Sequence, residues 1–507
     1  MLAALLLPVC VTVHAQPAKV ETKSAKFLVY YMGSRIGWMT STLAQAERDG
    51  TTCLREDEKA FIKITRSFDG QTFEISSDTQ NWYQLDGTPI AGKDTTKNGG
   101  QTIVKEITYA EKEVTINITV DKNPVTEVKL PTEGRTLHSM LSAWAHLRDN
   151  MKDGQSWTFD KVSADDLAIV QETWTRNGKV TRKLSDKSEV EGMSIRSVDN
   201  GMAALLLVGG DDLPVFYETA SGMSLERCEK IPEPFVAEAV QMRTVMTSNV
   251  DIVGWRKLDQ MEMSFAYEHD DDEHVPPIAD TNGYHDVHKS DKGYVIRLKS
   301  QRMADDEKPA YPLAEVPEDI KRFLKPTPMC QSDDKTLADE AAKLVKGKTD
   351  AREATMAIIK FVSGRLKGGS GDTGAASALQ AYKERKGDCT EHSALFVALA
   401  RAAGLPARQV GGLAYAAAED GSDSIMGYHA WSEVWLGRWV PVDATVNELG
   451  TSARYVLFEV DEPGETHGQG RSGRCMRADI RPVIDRYKLS DGRTWTRKEA
   501  PAGPFKD

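Results

Sequence analysis

The chain has no excess of positive charge, few cysteines and no apolar run of membrane-spanning length. Lys and Arg number 64 against 76 Asp and Glu, a formal charge of −12, so the basic footprint expected of a nucleic-acid or anionic-membrane binder is missing. An acidic balance of this size favours solubility and names no ligand. Six cysteines in 507 residues are too few for a disulfide-stapled scaffold. The apolar stretch from Met1 to Ala15 falls short of the roughly 20 residues needed to cross a bilayer. HExxH, GxSxG and Walker-type loops are missing as well, which removes the simplest metalloprotease, serine-hydrolase and nucleotide-hydrolase readings. There is no repeat of fixed period.

Residues 1–15 carry no charge and end in Val13-His14-Ala15, a small-residue cleavage pattern ahead of Gln16-Pro17. They read as a signal peptide without the usual basic n-region. The expectation is an exported protein, periplasmic or secreted, with no transmembrane segment after cleavage. Five cysteines then remain: Cys53, Cys228, Cys330, Cys389 and Cys475. An odd number in an exported protein calls for one free thiol. If that thiol is Cys389, the others can pair as Cys53–Cys228 and Cys330–Cys475; unpaired buried cysteines are the alternative.

Residues 22–260 read as an antiparallel β domain. Val114, Ile116, Ile118 and Val120 alternate with polar residues, the period of a half-buried strand. Gly33-Ser34-Arg35, Asp86-Gly87, Asn98-Gly99-Gly100 and Asn177-Gly178 mark turns, and one helix is expected near 137–148. Residues 261–332 form a polar linker and a small β segment, with a strand at 293–298. The acidic and His-rich run at 268–288 is assigned to solvated linker, not to a metal site. From 333 to 490 the pattern turns helical and then back to strands, with a tail at 491–507. Gly369-Ser-Gly-Asp-Thr-Gly374 matches GxGxxG in letters. It follows a helix, not a strand, so the dinucleotide reading lacks its setting.

The chemistry concentrates in two segments. In Gly387-Asp388-Cys389-Thr390-Glu391-His392, Asp388 and Glu391 have the spacing of a capping box. That places Cys389 at the first helical position, where free amides and the helix dipole stabilise a thiolate and can receive an oxyanion. Ala394, Leu395, Ala398, Leu399 and Ala402 form the buried stripe of this helix. The second segment, Tyr428-His429-Ala430-Trp431-Ser432-Glu433-Val434-Trp435, puts His429, Trp431, Glu433 and Trp435 on one strand face. A three-residue loop, Leu436-Gly437-Arg438, sets Trp435 opposite Trp439 and Trp431 opposite Asp443. His429 and Asp443 then stand diagonally on one face, within reach. A two-residue loop would separate them. His392 is assigned a packing role, Glu433 a supporting role or a pairing with Arg438, and Gln380 a weak claim on an oxyanion.

Gly387–Arg408, His429-Ala-Trp-Ser-Glu-Val-Trp435 and Trp439-Val-Pro-Val-Asp-Ala-Thr445 resemble the three core motifs of bacterial transglutaminase-like proteins. Ala444 departs from the proline common there. The resemblance covers about residues 333–460. It implies an α+β fold, with a papain-like transglutaminase core at the C-terminal side preceded by the largely antiparallel β region. It makes Cys389, His429 and Asp443 the catalytic triad, with no metal or cofactor assigned. The implied activity is thiol-dependent acyl transfer on a protein or peptide substrate through a thioester, with hydrolysis favoured over crosslinking. The β domain would then meet substrate, a cell-envelope polymer or a partner protein. The alternative is a non-catalytic binding or assembly module on the same scaffold.

Overall fold

The computed structural model describes residues 21–66, 72–98, 101–199, 202–219, 222–240, 245–267, 284–290, 293–367, 376–460 and 480–498. The signal-peptide segment, most of the acidic and His-rich run, the Gly369–Gly374 motif, Cys10 and Cys475 lie outside them. Two compact units divide between Val240 and Val245. Among the described residues no helix is long and apolar enough to cross a membrane.

The first unit is one sheet made of two antiparallel meanders, with the short strand Ala239–Val240 added in parallel to Thr51–Arg66. Eight strands run consecutively from Lys23–Tyr31 to Thr126–Pro131, and six from Ser156–Ser163 to Met223–Arg227. The first strand closes on the last, with Phe27 opposite Arg227 and Val29 opposite Leu225. The connecting helix, Met140–Asn150, is capped by Ser139 and buries Leu141, Ala143, Trp144 and Leu147. These pack with Phe27, Ile36, Met39, Phe159, Trp174 and Ile195 in one core. Strands of both meanders thus share a core with one helix, and the sheet curls around it. Val114, Ile116, Ile118 and Val120 are all buried, as their alternation predicts. Asn177-Gly178 is not the expected turn. It lies inside the strand Ala168–Lys183, where Arg176 faces Ile195 and Gly178 faces Ser194. Asn177 is the extra residue of a bulge, and Gly178 supplies the positive φ of 83° that a bulge accepts.

Cys53 and Cys228 are free thiols, so the disulfide considered between them does not form. Cys330 is buried, its thiol aimed at the Ala394 carbonyl at 3.7 Å.

The second unit begins earlier than the sequence boundary near 260 suggests. Val245–Thr247 pairs with Ile425–Trp435, and Leu258–Tyr267 pairs with Ile480–Leu489. The unit contains two sheets. One runs Glu448–Leu449, Trp439–Asp443, Ile425–Trp435, Ala407–Ala416, Tyr455–Val460. The other holds His285–Ser290, Gly293–Lys299, Leu258–Tyr267, Ile480–Leu489 and Thr494–Thr496, so part of the expected tail is strand. Four helices, Lys335–Leu344, Ala351–Arg365, Ala378–Glu384 and Cys389–Ala402, pack with Val434, Val440 and Val442 of the first sheet. Leu413, Tyr415, Met426 and Val456 of that sheet join the second sheet in a separate core.

The Cys389 helix is central. Its pattern predicts a single buried stripe, yet every residue from Glu391 to Arg401 is buried, as in a helix covered on all sides. Ala394 and Ala398 leave room for neighbouring helices, which explains why small residues recur along it.

Gly412 pairs with His429 on one side and Leu457 on the other. A Cβ there would sit 1.8 Å from the Val456 carbonyl oxygen. Gly412→Ala is therefore expected to destabilise the second unit by roughly 3 kcal/mol or more, because backbone must move. Denaturant titration of the variant checks this; an unchanged midpoint would refute the close approach.

Candidate active site

The nucleophile turn is built by its caps. Asp388 accepts from the Thr390 amide at 3.0 Å and from the Glu391 amide, while Glu391 accepts from the Asp388 amide at 2.9 Å. The other Glu391 oxygen accepts from the Ala376 amide at 2.9 Å. Burial, and then the Asp388 charge, raise the Glu391 carboxyl to about 7. Gly387 is required here because a Cβ would meet Glu391 Cβ at 2.3 Å. Cys389 opens the helix and is partly exposed.

The hairpin takes the register that the three-residue loop predicts. Trp435 faces Trp439, Glu433 faces Pro441 and Ser432 faces Val442. His429 and Asp443 consequently meet, Nε2 to Oδ2, at 2.8 Å. Nδ1 is left for the sulfur, and Cys389 lies close enough to the ring to interact with it by hydrogen bond and charge. Burial alone would lower the His429 pKa. The Asp443 carboxylate overrides it, with Cys389 adding, and the imidazolium is held to about 10. Burial would likewise raise Asp443, but the His429 charge and hydrogen bonds from His429 and Tyr455 hold its carboxyl well below the usual range. Both shifts describe one ion pair, seen from its two ends.

Asp443 is fixed by more than the histidine. Its Oδ1 accepts from the Thr445 amide at 2.9 Å, and its Oδ2 also accepts from the Tyr455 hydroxyl at 2.6 Å. Arg454 in turn bonds the Tyr455 oxygen and Glu448, the latter at 3.0 Å. Neither Tyr455 nor Arg454 belongs to the motifs that point to the site. Tyr455 opens, and Arg454 immediately precedes, a strand that pairs with Ala407–Ala416, not with the hairpin, and no local pattern announces a tyrosine that reaches across a strand. The sole sequence signal is Arg454-Tyr455 at the start of an apolar strand.

Other expectations need correction. Glu433 pairs with Arg408 at 2.7 Å, not with Arg438, which binds Glu307 at 3.0 Å. Arg408 stacks over Trp439, 4.1 Å from its centroid, and lies 5.5 Å from that of Phe323, so these two rings flank the guanidinium. Among the tryptophans of this hairpin it is Trp431 that adjoins His429, nearly parallel at 6.2 Å between centroids. Gln380 donates to Glu384 at 2.9 Å, one turn along its own helix, which occupies its amide away from an oxyanion role. His392 is buried and binds the Asp388 carbonyl through Nδ1 at 2.6 Å. That fits packing and cap support. Among the described residues no group of three or more His, Cys, Asp or Glu is gathered to hold a metal ion.

Comparison with known proteins adds a family to this geometry. Residues 338–444 match the model of the transglutaminase-like superfamily. Similar solved structures include a candidate cysteine protease from Cytophaga hutchinsonii, 21% identical over 52% of this chain and 88% of that one, with a TM-score of 0.27. A β-barrel-like protein with a domain of unknown function from Brucella abortus is 8% identical over 40% of this chain and 94% of that one, TM-score 0.29. A candidate protease from Parabacteroides distasonis is 10% identical over 78% of this chain and 70% of that one, TM-score 0.17. No curated protein matches the chain.

Proposed function

Starting from a transglutaminase-like domain at residues 338–444, we propose that the protein is a thiol-dependent acyl-transfer enzyme that cleaves peptide or carboxamide bonds. The observation that carries this reading is the convergence of Cys389, at a helix start, with the bonded pair His429–Asp443. The Cys389 thiolate attacks the substrate carbonyl carbon, and the carbonyl electron pair moves to oxygen. The helix amides are not all free to receive that oxyanion: Asp388 occupies those of Thr390 and Glu391, which leaves the amide of Cys389 itself. His429 passes its proton to the departing amine, and a thioester remains on Cys389. The neutral imidazole then takes a proton from water, which attacks the thioester. The acid leaves and the thiolate–imidazolium pair returns. Asp443 keeps the ring oriented throughout and stabilises its charged form. Hydrolysis is the proposed outcome because Cys389 is partly exposed, and water reaches such a thioester without a dedicated amine site. A papain-like layout of helix and sheet goes with this reading.

The test is an acyl-enzyme trap. Full-length protein is mixed with a library of peptides and carboxamides, quenched in acid and measured by intact mass, with Cys389→Ser as the control. The expected result is an adduct localised to Cys389. No adduct from any library member, in protein that is folded, would remove the reading.

Tyr455→Phe probes the support of Asp443. It removes one hydrogen bond to a buried carboxylate while leaving the ring in place. A roughly tenfold fall in kcat/KM is expected, equivalent to about 1.4 kcal/mol. Steady-state kinetics on the trapped substrate class would show it; wild-type kinetics would mean the hydroxyl does not orient Asp443.

A further inference from the structure

Arg454 sits beside the catalytic carboxylate without belonging to the triad. It is buried, and it lies outside the residues 338–444 that match the family. Its guanidinium is caged. Nη1 donates to the Tyr415 carbonyl at 3.3 Å and Nη2 to Glu448 at 3.0 Å, and the Trp255 and Tyr455 ring centroids are 4.9 and 4.1 Å away. Nη2 also bonds the Tyr455 hydroxyl and stands 3.8 Å from Asp443 Oδ2. A guanidinium has no acceptor. The hydroxyl therefore accepts from Arg454, and its own proton is left for Asp443.

The cage holds a charge where the reaction leaves a gap. Asp443 faces Glu448 directly across the ladder, where like charges repel, and Arg454 lies against both. The Asp443 and Arg454 side chains are 2% and 4% exposed and that of Glu448 21%, so solvent screens Glu448 more than the other two. Burial pushes the Asp443 carboxyl up; the His429 charge, the hydrogen bonds from His429 and Tyr455, and the Arg454 charge hold it down. In the acyl-enzyme Cys389 is an uncharged thioester, and the imidazole is neutral when it takes a proton from water. Asp443 has then lost its imidazolium. Among the described residues the cation still against it is Arg454, whose guanidinium keeps its charge at any working pH.

Resting on the acyl-transfer reading, we infer that Arg454 is a positioning residue for deacylation, the fixed cation that keeps a proton off the His429–Asp443 pair while Cys389 carries the acyl group. The step needs that pair free to accept. Water oxygen bonds to the thioester carbon, the water proton passes to Nδ1, and the C–S bond breaks to return the thiolate. A proton taken earlier from the buffer blocks this, whichever of the two groups holds it. An imidazolium is no base, and a protonated Asp443 donates to Nε2 and leaves the ring's own proton on Nδ1. Without the guanidinium the pair stands beside Glu448 with no cation, so its proton affinity rises. Acylation starts from the imidazolium and escapes that penalty.

Reaction of the full-length chain with p-nitrophenyl acetate tests this, because p-nitrophenolate leaves without needing a proton. The burst of p-nitrophenol reports acylation, the steady rate after it reports deacylation, and peptide mass mapping locates the acetyl group. Arg454→Gln keeps a donor for Tyr455 and removes the charge. With its fold checked by circular dichroism, it should keep the wild-type burst and accumulate the acetyl group on Cys389. The acid limb of its deacylation should move up by about one pH unit or more, a roughly tenfold slower rate on that limb. Arg454→Lys, which keeps the charge, should move the limb less. Should Arg454→Gln not fold, Arg454→Gln together with Glu448→Gln leaves no carboxylate orphaned at 448. It should move the limb the same way by a smaller amount, since the charge lost at 448 is the more screened one. An unmoved limb in the folded variant, or an equal shift in Arg454→Lys, overturns this inference and leaves the acyl-transfer reading standing. A wild-type protein that gains no acetyl group on Cys389 removes that reading, and this inference with it.

Discussion

Cys389→Ala is expected to lower turnover by on the order of 10⁴-fold or more, with the fold intact. The sulfur is the strongest nucleophile at the start of that helix, since a neutral Thr390 hydroxyl attacks a carbonyl far more weakly than a thiolate. His392 does not substitute for it, because its ring is tied to the Asp388 carbonyl. The helix itself rests on burial from Glu391 to Arg401 and on the Asp388–Glu391 box, none of which involves the thiol. A melting temperature within about 2–4 °C of wild type is therefore expected, the shift that 1 kcal/mol produces in a domain of this size. Comparing turnover and melting temperature of the variant separates lost chemistry from lost structure. Substantial residual turnover in Cys389→Ala would mean that the reaction runs elsewhere.

Asp443→Asn should act through the histidine. Asparagine keeps the shape but removes the charge, and one orientation of the amide presents a donor to Nε2. The imidazolium now at about 10 loses the partner that overrides its burial, so the His429 pKa falls toward or below the ordinary 6.5. The alkaline limb of kcat/KM moves to lower pH by the same change, and the rate at neutral pH falls by roughly 10²- to 10⁴-fold. Stability carries the same signature. A raised His429 pKa gives a contribution that is complete below 6.5 and lost as pH rises to about 10. A depressed Asp443 pKa gives one present above 3.8 and lost as pH falls below it. The two are the same pair, counted once, so the melting-temperature gap between wild type and Asp443→Asn should be widest between about pH 4 and 6.5. Thermal melts across pH measure it; a gap that is constant with pH would contradict the ion pair.

Much of this site is written in short-range sequence patterns. The Asp388-x-x-Glu391 spacing specifies the helix start, because two side chains answer two otherwise orphaned amides. The Leu436-Gly437-Arg438 loop specifies the register, because one residue more or fewer would flip Asp443 to the other face. These are local rules acting over a few residues. The support around them is not local. Tyr455 reaches Asp443 from a strand whose ladder partner is Ala407–Ala416, and Arg408 takes Glu433 from the neighbouring strand, although Arg438 is the nearer candidate in sequence. Which charge reaches which carboxylate depends on strand order, and strand order is set by long-range pairing. The same holds for Val245–Thr247 and Leu258–Tyr267. The first falls in the stretch read as the β region and the second runs from it into the stretch read as linker, yet their partners lie about 180 and 220 residues further on. Asn177-Gly178 shows a narrower limit: the dipeptide asks for positive φ, and a bulge satisfies that request as well as a turn.

The central claim is tested most directly by titrating the His429 ring by NMR in protein labelled at histidine, wild type beside Cys389→Ala. A ring locked between sulfur and carboxylate keeps its proton until about pH 10, and gives it up at lower pH once the sulfur is gone. A ring that titrates near 6.5, identically with and without Cys389, would mean that imidazole, carboxylate and thiol do not act as one unit.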